Sequence, residues 1–182
     1  AYLPQNPSFA ESATVLDAAT LNTVATLSVG QGPHEVAIST DGRWAVVTNY
    51  GVQGTAGNTL SVIDLAAETP SVVRTIDLGQ YQRPHGAAFV KSGTKLLVTS
   101  ETAQRLLLVD FISGRIDTAM ATNGRGSHMV TVQRDGRRAW TSNIADGTVS
   151  EFDVDSRTTK RTFAVAPNVE GISATPGGVQ VW

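Results

Sequence analysis

The stretch Pro33-His34-Glu35-Val36-Ala37-Ile38-Ser39-Thr40-Asp41-Gly42-Arg43-Trp44-Ala45-Val46-Val47-Thr48-Asn49 decides the fold, because the chain contains it more than once. Arg83-Pro84-His85-Gly86-Ala87-Ala88-Phe89-Val90 runs on to Gly93 and Leu96-Leu97-Val98-Thr99-Ser100. Ser127-His128-Met129-Val130-Thr131-Val132 runs on to Asp135-Gly136 and Ala139-Trp140-Thr141-Ser142-Asn143. A fourth copy starts at Val169-Glu170-Gly171-Ile172-Ser173-Ala174 and reaches Gly177-Gly178 and Val181-Trp182. The steps from His34 to His85, His128 and Glu170 are 51, 43 and 42 residues, a period that marks a repeat architecture.

Each unit predicts four short strands. Strand a (34–39) reaches a hairpin signal at Asp41-Gly42, which supplies the positive φ that a primed turn demands. Strand b (44–50) is a buried apolar run, and strand c (60–64) closes on Asp64, with Asp17, Asp110 and Asp153 as its equivalents. Strand d (72–76) leads to the next unit. No window keeps a 3.6-residue apolar period, so helices should be scarce. Four antiparallel strands recurring at this spacing describe the blade of a β-propeller. The expectation is an all-β fold of about four repeats in one domain over 1–182. Strands b–d of a first blade occupy 1–30, repeat units follow at 31–79, 80–122 and 123–165, and a partial unit covers 166–182.

Composition agrees with this pattern. Val and Thr supply close to a quarter of the 182 residues, beside 17 Gly, a balance that favours strands and tight turns. Charged residues make up 16% and the net charge is −2, so no basic field exists to hold nucleic acid. No apolar run approaches the roughly 18 residues of a membrane helix, and no membrane span is expected. The absence of cysteine excludes a disulfide scaffold, a thiolate metal site and a Cys nucleophile, while leaving the compartment open. Ala1 at the start fits a processed secretory product or a recombinant start.

Val47-Thr48-Asn49-Tyr50, followed by Leu60-Ser61-Val62-Ile63-Asp64-Leu65, resembles the YVTN-type β-propeller repeat of surface-layer and lactonase-like proteins, as does the Pro-His…Asp-Gly-Arg stretch before it. Units two and three depart from the tetrapeptide, with Leu97-Val98-Thr99-Ser100 and Trp140-Thr141-Ser142-Asn143, yet keep its position. The resemblance implies a propeller, usually of seven blades, in a protein often exported to the periplasm, the cell surface or the medium. It identifies a scaffold better than a reaction.

Ala1-Tyr2-Leu3-Pro4-Gln5 aligns with Ala45–Asn49, so the chain is expected to open inside a strand b and to close at the same phase with Val181-Trp182. Three arrangements follow: part of a larger propeller, a four-bladed ring closed by the terminal strands, or a half-ring completed by a second copy in a homodimer.

All three histidines, His34, His85 and His128, occupy one repeat position, and Glu170 takes it in the fourth unit. That position starts the innermost strand, so one such side chain per blade faces a common funnel. Three imidazoles and a carboxylate suit a divalent transition metal, Zn or Cu, in a site without thiolate. Across a wide ring only adjacent ones share an ion. The competing reading is a histidine that hydrogen-bonds backbone across a blade junction. Two insertions fall on the same face: Gly51–Gly57 between strands b and c, expected to be a flexible loop, and the segment carrying Tyr81, Gln82 and Arg83 before His85. Tyr50, Tyr81 and Arg83 are therefore the secondary candidates for contact with a small molecule or protein partner.

The Asp17, Asp64, Asp110 and Asp153 series is expected to cap turns. Arg134, Arg137 and Arg138 form a small basic cluster expected to be solvated. No Gly-x-Ser-x-Gly elbow and no phosphate-cradling Gly-rich loop precedes a helix. The leading functional expectation is an extracytoplasmic binding or interaction protein that uses its funnel face. The alternative is a propeller enzyme, either a lactonase-like hydrolase or a metal- or haem-dependent redox enzyme.

Overall fold

The computed structural model describes residues 11–182 except Ser92, and every regular element among these described residues is a strand. The strand expected at 1–5 lies outside the described residues. β1 (Ser12–Leu16) and β2 (Thr23–Ser28) form an antiparallel pair. Three four-stranded antiparallel sheets follow, each in sequential order. The first blade holds β3 (Pro33–Ile38), β4 (Trp44–Val52), β5 (Thr55–Asp64) and β6 (Ser71–Asp77). The second holds β7 (Pro84–Phe89), β8 (Lys95–Ser100), β9 (Arg105–Asp110) and β10 (Ile116–Ala121). The third holds β11 (Ser127–Val132), β12 (Arg138–Asn143), β13 (Thr148–Asp153) and β14 (Thr158–Ala164). Beyond them, Ser173 and Trp182 exchange backbone hydrogen bonds beside an Ala174–Val181 bridge, the start of a further a–b hairpin. No bridge joins this hairpin to β1 or β2 among the described residues.

The apolar runs of strands b and c are continuous because each blade is covered on both faces. Successive side chains of a strand point to opposite faces, and here each face meets a different neighbour. Val46 joins the core between the first and second blades while Val47 packs with Leu27 and Val29 toward β1–β2. In β8, Leu96 and Val98 enter that first core, whereas Leu97 enters the core shared with the third blade. In β9, Leu107 and Val109 take one side, and Leu106 and Leu108 the other.

The turn assignments hold. The Oδ1 atoms of Asp17, Asp64, Asp110 and Asp153 accept backbone N–H bonds from residues two or three further on. The hairpin turns are capped likewise by Asp41 and Asp135. Two expectations need correction. Gly51–Gly57 is not a loose loop: the β4–β5 ladder runs on through it to a tight Gln53-Gly54 turn. Glycine is needed there because a Cβ on Gly57 would fall 2.1 Å from the Asn49 carbonyl oxygen and one on Gly51 2.2 Å from the Gly57 nitrogen. Arg138 is not merely solvated. It reaches buried Glu151 at 3.3 Å, which Arg161 meets at 2.7 Å.

The blades are tied at their inner ends by one repeated device. The a–b register shifts between Pro33 and Val36, between Pro84 and Ala87, and between Ser127 and Val130, so each histidine sits at a bulge. The ladder bond missing at each bulge is replaced by a hydroxyl on strand b. The N–H of Glu35 donates to Thr48 Oγ1 (3.0 Å), that of Gly86 to Thr99 Oγ1 (2.8 Å) and that of Met129 to Ser142 Oγ (3.1 Å). Each hydroxyl then donates to the next blade, at the carbonyls of His85 (2.9 Å), His128 (2.6 Å) and Glu170 (2.5 Å).

Thr99 is fully buried, so Thr99→Val keeps its shape but strands the buried Gly86 N–H and the part-buried His128 carbonyl. The expected cost is about 1–3 kcal/mol, a Tm lower by roughly 2–10 °C for a domain of this size, with Thr99→Ser close to the parent. Thermal unfolding followed by circular dichroism checks this, and an unchanged Tm in Thr99→Val removes the hydroxyl from the list of stabilising contacts.

Candidate metal centre

The bulges turn the three histidines inward as a column. The ring centroids of His34 and His85 are 3.9 Å apart, and those of His85 and His128 are 3.7 Å apart, with the planes tilted by 47° and 38°. Gly86 sets the second spacing. A Cβ there would lie 2.8 Å from the His128 oxygen, the Met129 Cα and the Val130 nitrogen, so β7 and β11 approach as closely as they do only because residue 86 has no side chain.

His85 is 2% exposed, and neither its Nδ1 nor that of His128 has a hydrogen-bond partner. A buried polar atom left without a partner is uncommon and asks for an explanation. Burial above all, with the neighbouring imidazoles adding to it, pushes the His85 pKa down to about 3. Burial also lowers that of His128, against the opposing pull of Glu101 and Glu170. His85 is therefore neutral at neutral pH, the state in which imidazole binds metal.

The carboxylate beside this pair is Glu101. Its Oε2 lies 4.0 Å from His128 Nδ1 and accepts a 2.9 Å hydrogen bond from the Tyr50 hydroxyl. Burial and this bond push the Tyr50 pKa up to about 12, so the phenol keeps its proton and acts as the donor. The Tyr50 ring stands 5.2 Å from His34 and 5.6 Å from His85. On its outer face lies the Arg83 guanidinium, 4.7 Å from the ring centroid, which also donates to the Val52 carbonyl at 3.0 Å.

Two sets of potential ligand atoms converge to within 4.8 Å: His34, Glu35 and His85, and His85, Glu101 and His128. Each is two imidazoles and one carboxylate drawn from adjacent blades. Glu170 belongs to neither set. Its backbone carbonyl takes the Ser142 bond instead. Tyr81 packs against the core between the first and second blades, and Arg83 braces the long β4–β5 hairpin. Glu35 and Glu101 were not among the expected residues. Glu101 follows strand b at the position Tyr50 takes one unit earlier, so the repeat phase was a signal for it.

A search of solved structures finds a chain of hydrazine synthase from Kuenenia stuttgartiensis, with a TM-score of 0.81 and 20% identity over 94% of this chain and 48% of that one. The fold is that of a β-propeller. The chain spans about half the length of this relative, and at such identity the likeness is one of architecture alone. No family model matches the chain, and no curated protein matches it either. The YVTN-type resemblance rests on the repeat residues themselves.

Gly86→Ala must move backbone, not a flexible side-chain end, so it should destabilise by about 1–3 kcal/mol and weaken the mutual ring-current shifts of the His85 and His128 imidazole protons in NMR spectra. Parent-like shifts and stability would show that the blades have room to spare. A second outcome concerns pH. Because the His85 pKa is depressed in the folded state, the unfolded chain binds the extra proton first, and stability falls as pH drops below about 6.5. In metal-free protein, Tm measured from pH 7 to 4.5 should decline less steeply in His85→Gln than in the parent, and identical slopes would count against a neutral buried ring.

Proposed function

We propose that this chain acts as a β-propeller binding module whose funnel face holds a divalent transition metal ion, Zn or Cu, on His85, Glu101 and His128. The observation that carries the reading is the pair of buried Nδ1 atoms, on His85 and His128, without a hydrogen-bond partner and beside a carboxylate already fixed by Tyr50. Two nitrogens and one carboxylate oxygen are a ligand set these metals accept. The Tyr50 hydroxyl then orients the ligating carboxylate from behind, as outer partners of metal ligands do.

A centre with three protein ligands leaves a coordination position for a ligand arriving through the funnel. That supports a small molecule or a partner side chain as the bound species, with Tyr50 and His34 as neighbouring walls. It equally supports the enzymatic alternative, a metal-dependent hydrolase of the lactonase kind or a redox enzyme, because catalytic metal sites keep such a position open. A location outside the cytoplasm is part of the proposal, supported by the YVTN-type repeat residues. The match over 48% of a larger solved chain supports an arrangement in which further blades, from this polypeptide or from a second copy, complete the ring.

Titration calorimetry of chelator-treated protein with Zn(II) and Cu(II) should give micromolar or tighter binding that is lost in His128→Ala and weakened roughly 10–100-fold in Tyr50→Phe. Binding no tighter than millimolar ends the reading. Lactone hydrolysis or a metal-dependent redox turnover by the loaded protein decides for the enzyme over the binding module.

A further inference from the structure

The ligand atoms of the column fall into two sets, and no set contains both His34 and His128. Ligands on one ion lie within roughly 4 Å of each other when each bond is about 2.0–2.1 Å, so an ion on His85, Glu101 and His128 leaves His34 and Glu35 outside its ligand set. Both sets share His85, which is sandwiched between the other two rings at 3.9 and 3.7 Å. An imidazole has two ring nitrogens, each able to bind a metal. We propose that the funnel holds a second divalent transition metal ion on His34, Glu35 and the remaining ring nitrogen of His85, so that His85 bridges a pair of ions. This rests on the first site proposed above.

The carboxylates divide accordingly. Glu35 follows its histidine in the bulge, with its N–H anchored on Thr48 Oγ1 at 3.0 Å and its Oε1 3.7 Å from His34 Nδ1. The equivalent positions hold Gly86 and Met129, so the second blade presents no carboxylate there. The carboxylate for the inner set comes from the end of strand b instead, as Glu101. Each pair of adjacent blades thus contributes two imidazoles and a single acid. His34 and Glu35 side chains are each about one-third exposed, at 35% and 36%, against 15% and 27% for His128 and Glu101. The outer ion is the one in contact with solvent and the one to load second.

Bridging has a defined balance. When the second ion binds, His85 gives up its remaining ring N–H proton to water and becomes an imidazolate. One negative charge then sits between two cations and offsets their repulsion.

Titration of the full metal-free chain with Cu(II), followed by electron paramagnetic resonance, reads the proposal directly. The first equivalent should give an isolated Cu(II) spectrum. The second should reduce the integrated intensity as the two spins couple through the imidazolate, with uptake stopping at about two ions per chain and one proton released from His85. The double variant His34→Ala/Glu35→Gln changes only partly exposed side chains. It should stop at about one equivalent and keep the full uncoupled signal. Saturation of the parent at one ion overturns the second site and leaves the first standing, as does a double variant that still takes up two. No uptake by the parent overturns both.

Discussion

The inner ends of the blades depend on a hydroxyl that serves two backbones at once. Thr48, Thr99 and Ser142 each accept the N–H freed by a bulge in their own blade and donate to the carbonyl of the facing residue in the next. A bulge alone would leave a buried donor unpaired, and two innermost strands side by side would leave a buried acceptor unpaired. One short polar side chain resolves both, so bulge, register and blade spacing are fixed together. His85 and His128 are placed by this device, because the carbonyls that receive the Thr48 and Thr99 bonds are their own.

That placement works against local stability. Packing imidazole rings at under 4 Å and burying two ring nitrogens without partners gives up hydrogen bonds that a solvated histidine would keep. The cost is carried by the apolar cores on either side, in which strands b and c of each blade feed two interfaces by simple alternation. Sites where a fold tolerates unsatisfied polar groups are where function is to be sought. An ion would satisfy the orphaned nitrogens, and the neutral state that burial imposes on His85 is the one a metal requires.

Much of the architecture is legible in the sequence. The recurrence of Pro-His, Asp-Gly and the apolar run, at steps of 42 to 51 residues, gave the strands, their order and the turn-capping aspartates. The common phase of His34, His85 and His128 was equally visible. The Gly51–Gly57 segment reads as a loop in sequence but is paired strand around a tight turn, since small residues look flexible there when their use is close backbone approach. Tyr50, Tyr81 and Arg83 share one face in the sequence pattern, yet they take different positions: one holds Glu101, one fills a core, and one lies on the Tyr50 ring. Glu35 and Glu101 stand outside the histidine phase, and only the packing of adjacent blades brings them to the imidazoles.

The sequence by itself determined the blade, because strand, turn and two-sided burial are read from neighbouring residues with a period of two. Only the tertiary structure decided which carboxylate meets which imidazole. Those partners are brought together by the spacing between blades, which hangs on a missing side chain at Gly86 and on hydroxyl bonds between residues some 29 to 37 apart in the chain, and no local pattern encodes a distance of that kind.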